Sequence, residues 1–333
     1  MRSRLYIPLA LVLTWPTSAE AQLPNWSDEG LEQVAERLDE IGSAAFIVMS
    51  GHEVVLSWGR TETPFRMHSI RKSLLSALVG VSVARGELSL SSSLAELGIN
   101  DKGLLTPAEQ TATVEHLLAS RSGVYHPAAS ETREARALRP TRGAFEPGQR
   151  WYYNNWDFNT LGTIFASARG QTVGDAFRDH LAQPLGFRDF DVERDFEYHL
   201  EPHHSRHPSY RFRLTARDLV RFGRLYLGQG RWEGAEIVPG EWVERSTRAT
   251  SVMESDGTKG GYGFMWWVSG AEDPVIPDGS FTASGAGGQR LTVLPSLNTV
   301  VVHLMDTEAE GGPRIGSEAY DSLLRLLLAA RVR

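Results

Sequence analysis

The stretch "HSIRKSLLSALVG" (residues 68–80) decides how this chain is read. The protein carries 34 lysine and arginine side chains, yet only Lys72, Lys102 and Lys259 are lysines. Of these three, Lys72 alone has a serine three positions earlier, Ser69. From Ser69 onward, apolar residues such as Ile70, Leu74, Leu75, Leu78 and Val81 fall on nearly every face of a helix, which predicts an element buried on most sides. Gly86 supplies its stop. A serine at a helix start is ordinarily an N-cap. A capping box, however, puts Glu or Gln three residues on, and here that residue is Lys72, with Arg71 beside it. Cations in the first turn face the positive end of the helix dipole, at a cost of a few tenths to about 1 kcal/mol. The misplaced charge points to another use. Residues i and i+3 share a helix face, so the Lys72 amine can reach the Ser69 hydroxyl. Serine is a poor nucleophile without a neighbouring base. Arginine cannot give up its proton at working pH, whereas a desolvated lysine can.

Two further stretches supply partners. "FEPGQRWYYNNWDFNTLGTIF" (145–165) places Tyr153-Asn154-Asn155 between a Pro-Gly turn and a helical run. Tyrosines and asparagines are common in loops, but a phenol beside a lysine ammonium can become a phenolate and serve as a general base. "FTASGAGGQRLTVLP" (281–295) puts small residues before a strand, where the backbone can approach a ligand and an N–H can stabilise an oxyanion. It lacks the strand-to-helix context of a nucleotide-binding G-x-G-x-x-G loop.

The order S-x-x-K, Y-x-N, glycine-rich strand resembles the serine β-lactamase and penicillin-binding-protein superfamily, most closely its class C and esterase-type branch. "TVEHLLASRSGV" (113–124) and "LTARDLVRFGRLYLGQGRW" (214–232) agree with it, and the likeness runs from about Phe46 to Val302. The resemblance implies Ser69 as the acylated nucleophile, Lys72 as its base partner and Tyr153 as the catalytic tyrosine. It implies that Asn155 orients the lysine or a substrate amide. Gly285 and Ala286 become the substrate-binding segment, with the Ser69 and Ala286 N–H groups as the oxyanion hole. No metal and no cofactor are implied. Where β-lactamases and D,D-peptidases carry Lys-Thr-Gly, this chain has Ala283-Ser284-Gly285. The departure looks more like exported hydrolases related to 6-aminohexanoate-oligomer hydrolases and carboxylesterases, so the expected substrate is a small or peptide-like ester or amide. Arg290 is a candidate surrogate cation. The alternatives are a β-lactamase or D,D-peptidase acting on cell-wall peptides, or a non-catalytic protein keeping the penicillin-recognising fold.

The fold expected is α/β (α+β): an antiparallel sheet flanked by N- and C-terminal helices, with a mostly helical insertion. A helix is expected over Trp26–Ile41 with Ser27 as N-cap, then a hairpin around Ser50-Gly51-His52. "YGFMWWV", "QRLTVL" and "TVVVHLM" read as strands, and a last helix as Ser317–Ala330. The division predicted is a sheet sub-domain from residues 22–68 and 249–333, a helical sub-domain from 69–248, and the active site between them. Helices are expected at Val114–Leu118, Asn159–Ala168, Val173–Leu181 and Ala216–Leu227.

Residues 1–21 read as an export signal: Arg2 and Arg4, an apolar run over Leu5–Trp15, and Ala19-Glu20-Ala21 before Gln22. The mature protein is expected to be periplasmic or secreted, without a membrane anchor. Cysteine is absent, so disulfides and thiolate metal sites are unavailable. A net charge of −7 without basic runs argues against a nucleic-acid partner. "EYHLEPHHSRHPSY" (197–210) reads as a histidine-rich surface loop, because Pro202 and Pro208 disfavour a regular helix that would align His203 with His207. Trp151 and Trp156 are expected to line a pocket, and Trp266 and Trp267 to sit in the core.

Overall fold

The computed structural model of the chain describes residues 26–255, 258–270 and 276–332; the predicted signal, residues 1–21, lies outside them. In chain order, helix α1 (Asp28–Glu40) precedes strands β1 (Ala45–Ser50), β2 (Glu53–Gly59) and β3 (Phe65–Arg66). Helices α2 (Ile70–Ala84), α3 (Val114–Leu118), α4 (Arg133–Leu138), α5 (Asn155–Arg169), α6 (Val173–Phe177) and α7 (Val192–Asp195) follow. Then come β4 (Phe196–His199), β5 (Ser209–Leu214), α8 (Ala216–Leu227), β6 (Arg231–Trp232), β7 (Ala235–Glu236) and α9 (Gly240–Ser246). The chain closes with β8 (Ser251–Ser255), β9 (Thr258–Tyr262), β10 (Trp267–Val268), β11 (Phe281–Gly285), β12 (Gln289–Leu294), β13 (Thr299–Leu304) and α10 (Ser317–Ala329).

The main sheet has eight antiparallel strands in the order β2-β1-β13-β12-β11-β10-β9-β8, so both ends of the chain build it. Every residue of β1, β12 and β13 is buried, which is why these strands read as unbroken apolar runs. Their side chains divide by alternation. Phe46, Val48 and Val301 meet Val34, Leu38, Tyr320 and Leu323 of α1 and α10. Ile47, Leu291, Val293, Val300 and Val302 face a larger core with Leu74, Leu78, Leu219 and Phe222 of α2 and α8. Ser27 caps α1 by accepting from the Gly30 N–H, and Gly51 turns the first hairpin at φ 58°.

One strand expectation is corrected. "YGFMWWV" is not one strand: Met265 takes φ 65°, and a Cβ on Gly263 would stand 2.2 Å from the Ser246 carbonyl oxygen. The run therefore folds as a tight corner between β9 and β10. The middle of the chain also holds a small sheet, β3-β5-β4, besides its helices. Tyr210, Phe212 and Leu214 of β5 are buried while Arg211 and Arg213 are half-buried, the two-residue period of a strand with one covered face. The histidine stretch joins β4 to β5. His207 within it is buried, its Nδ1 beside Thr163 Oγ1 and its Nε2 beside the Asn100 carbonyl. Among the described residues, no group of three or more His, Asp or Glu is arranged to hold a metal ion.

Candidate active site

Strand β3 delivers the chain to α2 through a strained step. His68 holds φ 47°, an uncommon conformation for a residue with a Cβ. Its Nε2 lies 2.8 Å from Thr307 Oγ1, and burial, helped by Arg66 and Arg314, pushes the imidazole down to about 4. Ser69 follows as the N-cap residue of α2, but its side chain makes no capping bond. The hydroxyl is engaged elsewhere: Lys72 Nζ lies 2.8 Å from Ser69 Oγ and 2.7 Å from Tyr153 Oη. Lys72 is only 2% exposed, and its amine rests 4.3 Å from the Tyr153 ring centre and 4.6 Å from that of Phe158. Burial, reinforced by the Arg71 guanidinium, holds this amine well below the ordinary lysine range. Burial raises the Tyr153 phenol, against smaller opposing effects of Ser69 and Arg71. Both directions favour a neutral amine beside a neutral phenol. The ammonium–phenolate pair allowed by the sequence reading is the less favoured state of this site.

Tyr153 is fixed by the loop around it. Ser120 Oγ donates to the Tyr152 carbonyl (2.6 Å) and accepts from the Asn154 N–H (3.0 Å). Asn154 Oδ1 caps α5 at the Trp156 N–H, and its Nδ2 donates to Asp157 Oδ1 (2.9 Å). Ser122 Oγ reaches the same carboxyl oxygen at 2.5 Å. Asp157 is fully buried, and burial drives its carboxyl well above the usual range. Asn155 is the first residue of α5; its Nδ2 donates to the Ser130 carbonyl (2.9 Å), and its buried Oδ1 has no hydrogen-bond partner among the described residues. It makes no hydrogen bond to Lys72.

The glycine-rich turn meets the nucleophile segment from the sheet. Gln289 Nε2 donates to the carbonyls of Arg66 (2.7 Å) and Met305 (3.0 Å), tying β12 to the residues before Ser69. Gly285 lies so near that a Cβ there would stand 2.5 Å from the Met67 carbonyl oxygen and 3.3 Å from His68 Cβ. Ala286 is exposed at the tip of the turn, followed by Gly287 and Gly288 at φ 81° and 106°. Gly285→Ala is accordingly expected to push β11 away from Met67. A destabilisation of about 1–3 kcal/mol by thermal or denaturant unfolding should result, with a loss of turnover larger than the stability change accounts for.

Several side chains sit differently from the sequence reading. Arg290 is 6% exposed and faces the terminal helices: Nη1 donates to the Gly285 carbonyl (2.9 Å), Nη2 to Ser317 Oγ (3.2 Å), and its guanidinium lies over the Tyr320 ring. Alternation along β12 puts it on the face away from Lys72, so it is no surrogate cation. Trp156 does not line a pocket; it is fully buried and donates from Nε1 to Asp101 Oδ2. Trp266 is core, but Trp267 is half-buried and stacks on Tyr153 with ring centres 5.6 Å apart. Trp151 and Tyr262 close the same aromatic wall against Trp267. Neither Trp267 nor Tyr262 carries a local signal of this, because strands more than 100 residues downstream of Tyr153 bring them to it.

The Beta-lactamase family model matches residues 31–324 of the chain. The chain belongs to that family. Within this β-lactamase family, it is 24% identical over 304 residues to the 6-aminohexanoate-dimer hydrolase of Paenarthrobacter ureafaciens, covering 82% of this chain and 75% of that protein. It is 29% identical over 172 residues to esterase EstB of Burkholderia gladioli, covering 45% of this chain and 44% of the esterase. A solved β-lactamase from Mycobacterium bovis superposes with a TM-score of 0.64 at 19% identity, over 89% of this chain and 97% of that one. These relatives are hydrolases, and the β-lactamase/transpeptidase fold expected from the sequence is the fold observed.

Proposed function

We propose that the protein is an exported serine hydrolase that cleaves a carboxylic ester or amide through an acyl-enzyme on Ser69. One observation carries the reading: a lysine 2% exposed places Nζ 2.8 Å from a serine hydroxyl and 2.7 Å from a tyrosine hydroxyl. In this reading the neutral Lys72 amine takes the Ser69 proton as Oγ attacks the substrate carbonyl. The N–H groups of Ser69 and Ala286 receive the oxyanion. The proton passes from Lys72 through the Tyr153 hydroxyl to the departing alcohol or amine as the C–O or C–N bond breaks. Water, deprotonated by the same groups, then attacks the acyl carbonyl; the acid leaves and Ser69 recovers its proton. No step calls for a cofactor or a metal.

The substrate side is supported less directly. Residue 283, at the position of the lysine in Lys-Thr-Gly, is a buried alanine, and Arg290 faces away. That weighs against carboxylate-bearing β-lactams and cell-wall peptides. The intact Ser69–Lys72–Tyr153 contacts weigh against a non-catalytic binding protein. The exported location rests on the pattern of residues 1–21 alone. The test combines turnover and mass spectrometry. Release of p-nitrophenol from p-nitrophenyl butyrate, no turnover of nitrocefin, and a fluorophosphonate adduct on the Ser69 peptide are expected. Rapid nitrocefin hydrolysis moves the protein to the β-lactamase reading, and the absence of labelling and turnover sinks the hydrolase reading. The intact mass of protein recovered from the periplasm should begin at Gln22.

A further inference from the structure

Arg71 is a buried cation that no acid balances among the described residues. It is 5% exposed, its Nη2 donates to Asn159 Oδ1 at 3.1 Å, and its guanidinium carbon lies 4.3 Å from the Tyr210 ring centre. Its Nη1 has no hydrogen-bond partner, and no carboxylate pairs with it among the described residues. Burying a charge this way is costly, and an apolar side chain of similar length would cover the Tyr210 ring without that cost. Nor does the group await a ligand, since Nη1 is itself sealed from solvent. What remains is its field, and the next residue in the chain is Lys72, 2% exposed.

We propose that Arg71 is a positioning residue that acts through Lys72: its fixed charge adds to burial in keeping the neighbouring amine unprotonated and ready to take the Ser69 proton. The inference rests on the reading of Lys72 as the base. Two adjacent cations in a poorly solvated interior repel strongly, and arginine cannot discharge, so the lysine does. The titratable group that touches Lys72 offers no anion to oppose this. Tyr153 is a phenol raised by burial, as are Tyr210 under the Arg71 guanidinium and Tyr262 packed on the Tyr153 ring. Asp157 of α5 is raised too, and is bonded to Ser122 and Asn154. His68, just before the nucleophile, is neutral above about 4. The ring faces of Tyr153 and Phe158 favour an ammonium by roughly 0.5–2 kcal/mol, and so do the Ser69 and Tyr153 oxygens that accept from Nζ.

Having only three lysines makes the direct measurement practicable. Carbon-13 labelling of the lysine ε-carbons gives three signals, and the one missing in Lys72→Arg is Lys72. In the wild-type protein Lys72 should titrate far below the ordinary lysine range. In Arg71→Gln its midpoint should rise by on the order of one unit or more. The acid limb of kcat/KM on p-nitrophenyl butyrate should rise with it, while the high-pH plateau stays within about tenfold. Arg71→Met, which refills the space over Tyr210, should do the same if the glutamine variant folds poorly. A wild-type Lys72 midpoint within the ordinary lysine range overturns the proposal by itself. So does a midpoint unmoved in both variants, or a rate loss equal at every pH. A shifted midpoint in a protein with no turnover would uphold the Arg71–Lys72 coupling and sink the catalytic reading instead.

Discussion

Ser69→Ala is expected to lower p-nitrophenyl butyrate turnover by about 10⁴-fold or more, the scale on which removal of a covalent nucleophile is felt. It should also abolish fluorophosphonate labelling. The fold should be indifferent. An N-cap serine replaced by alanine commonly costs about 1 kcal/mol because a backbone N–H loses its acceptor. Ser69 makes no capping bond, so α2 loses nothing of that kind. What is lost is the contact with Lys72 Nζ. A Tm within about 2 °C of wild type, with turnover gone, would separate a chemical role from a structural one. Turnover above about a tenth of wild type would mean that another group attacks the carbonyl, and the acyl-enzyme reading would fall.

How much of this was legible in the sequence follows from how far each interaction reaches along the chain. Ser69 and Lys72 are one helical turn apart, so composition and periodicity sufficed to pair them. The same holds for Ser27 as the α1 cap, the hairpin at Gly51, and the runs "QRLTVL" and "TVVVHL", which form β12 and β13. The phrase "ASRSGV" carries a signal only through family resemblance. Its physical content is that Ser120 and Ser122 hold the Tyr152–Asn154 backbone and Asp157. Direction was harder than proximity. Trp266 and Trp267 are neighbours in sequence, yet one is sealed in the core and the other stacks on Tyr153. Arg290 was a fair candidate by position, but the pleat of β12 turns it towards α10 while Gln289 turns towards Arg66. The strand "SYRFRL" carries a readable alternation, with Tyr210, Phe212 and Leu214 buried and its arginines half-buried. Arg71 is a misplaced charge in the sequence; that no carboxylate pairs with it among the described residues is a fact of packing and carries no local signal.

Lys72→Arg should cost about 10³-fold or more in kcat/KM, and it separates the two roles a lysine can play here. If Lys72 served as a fixed positive charge, arginine would keep that service. If it serves as a base, arginine cannot, because the guanidinium holds its proton throughout the accessible pH range. The direction of the Lys72 shift decides between these. Burial and Arg71 both lower it, so the wild-type amine is unprotonated over a wider range than an ordinary lysine. Wild-type kcat/KM should therefore climb as pH rises through the Lys72 midpoint, and the residual activity of Lys72→Arg should lack that limb. Lys72→Met supplies the energetic counterpart. The unfolded chain takes up a proton on Lys72 below about pH 10.4, which the native amine resists down to its own lower midpoint. Between those values the lysine costs stability, increasingly so as pH falls. Methionine removes the cost, so Lys72→Met should be inactive yet melt higher than wild type near neutral pH, with the gap narrowing as pH rises towards 10. An arginine variant keeping more than about a tenth of the wild-type rate with the same acid limb would show that Ser69 gives its proton to something else.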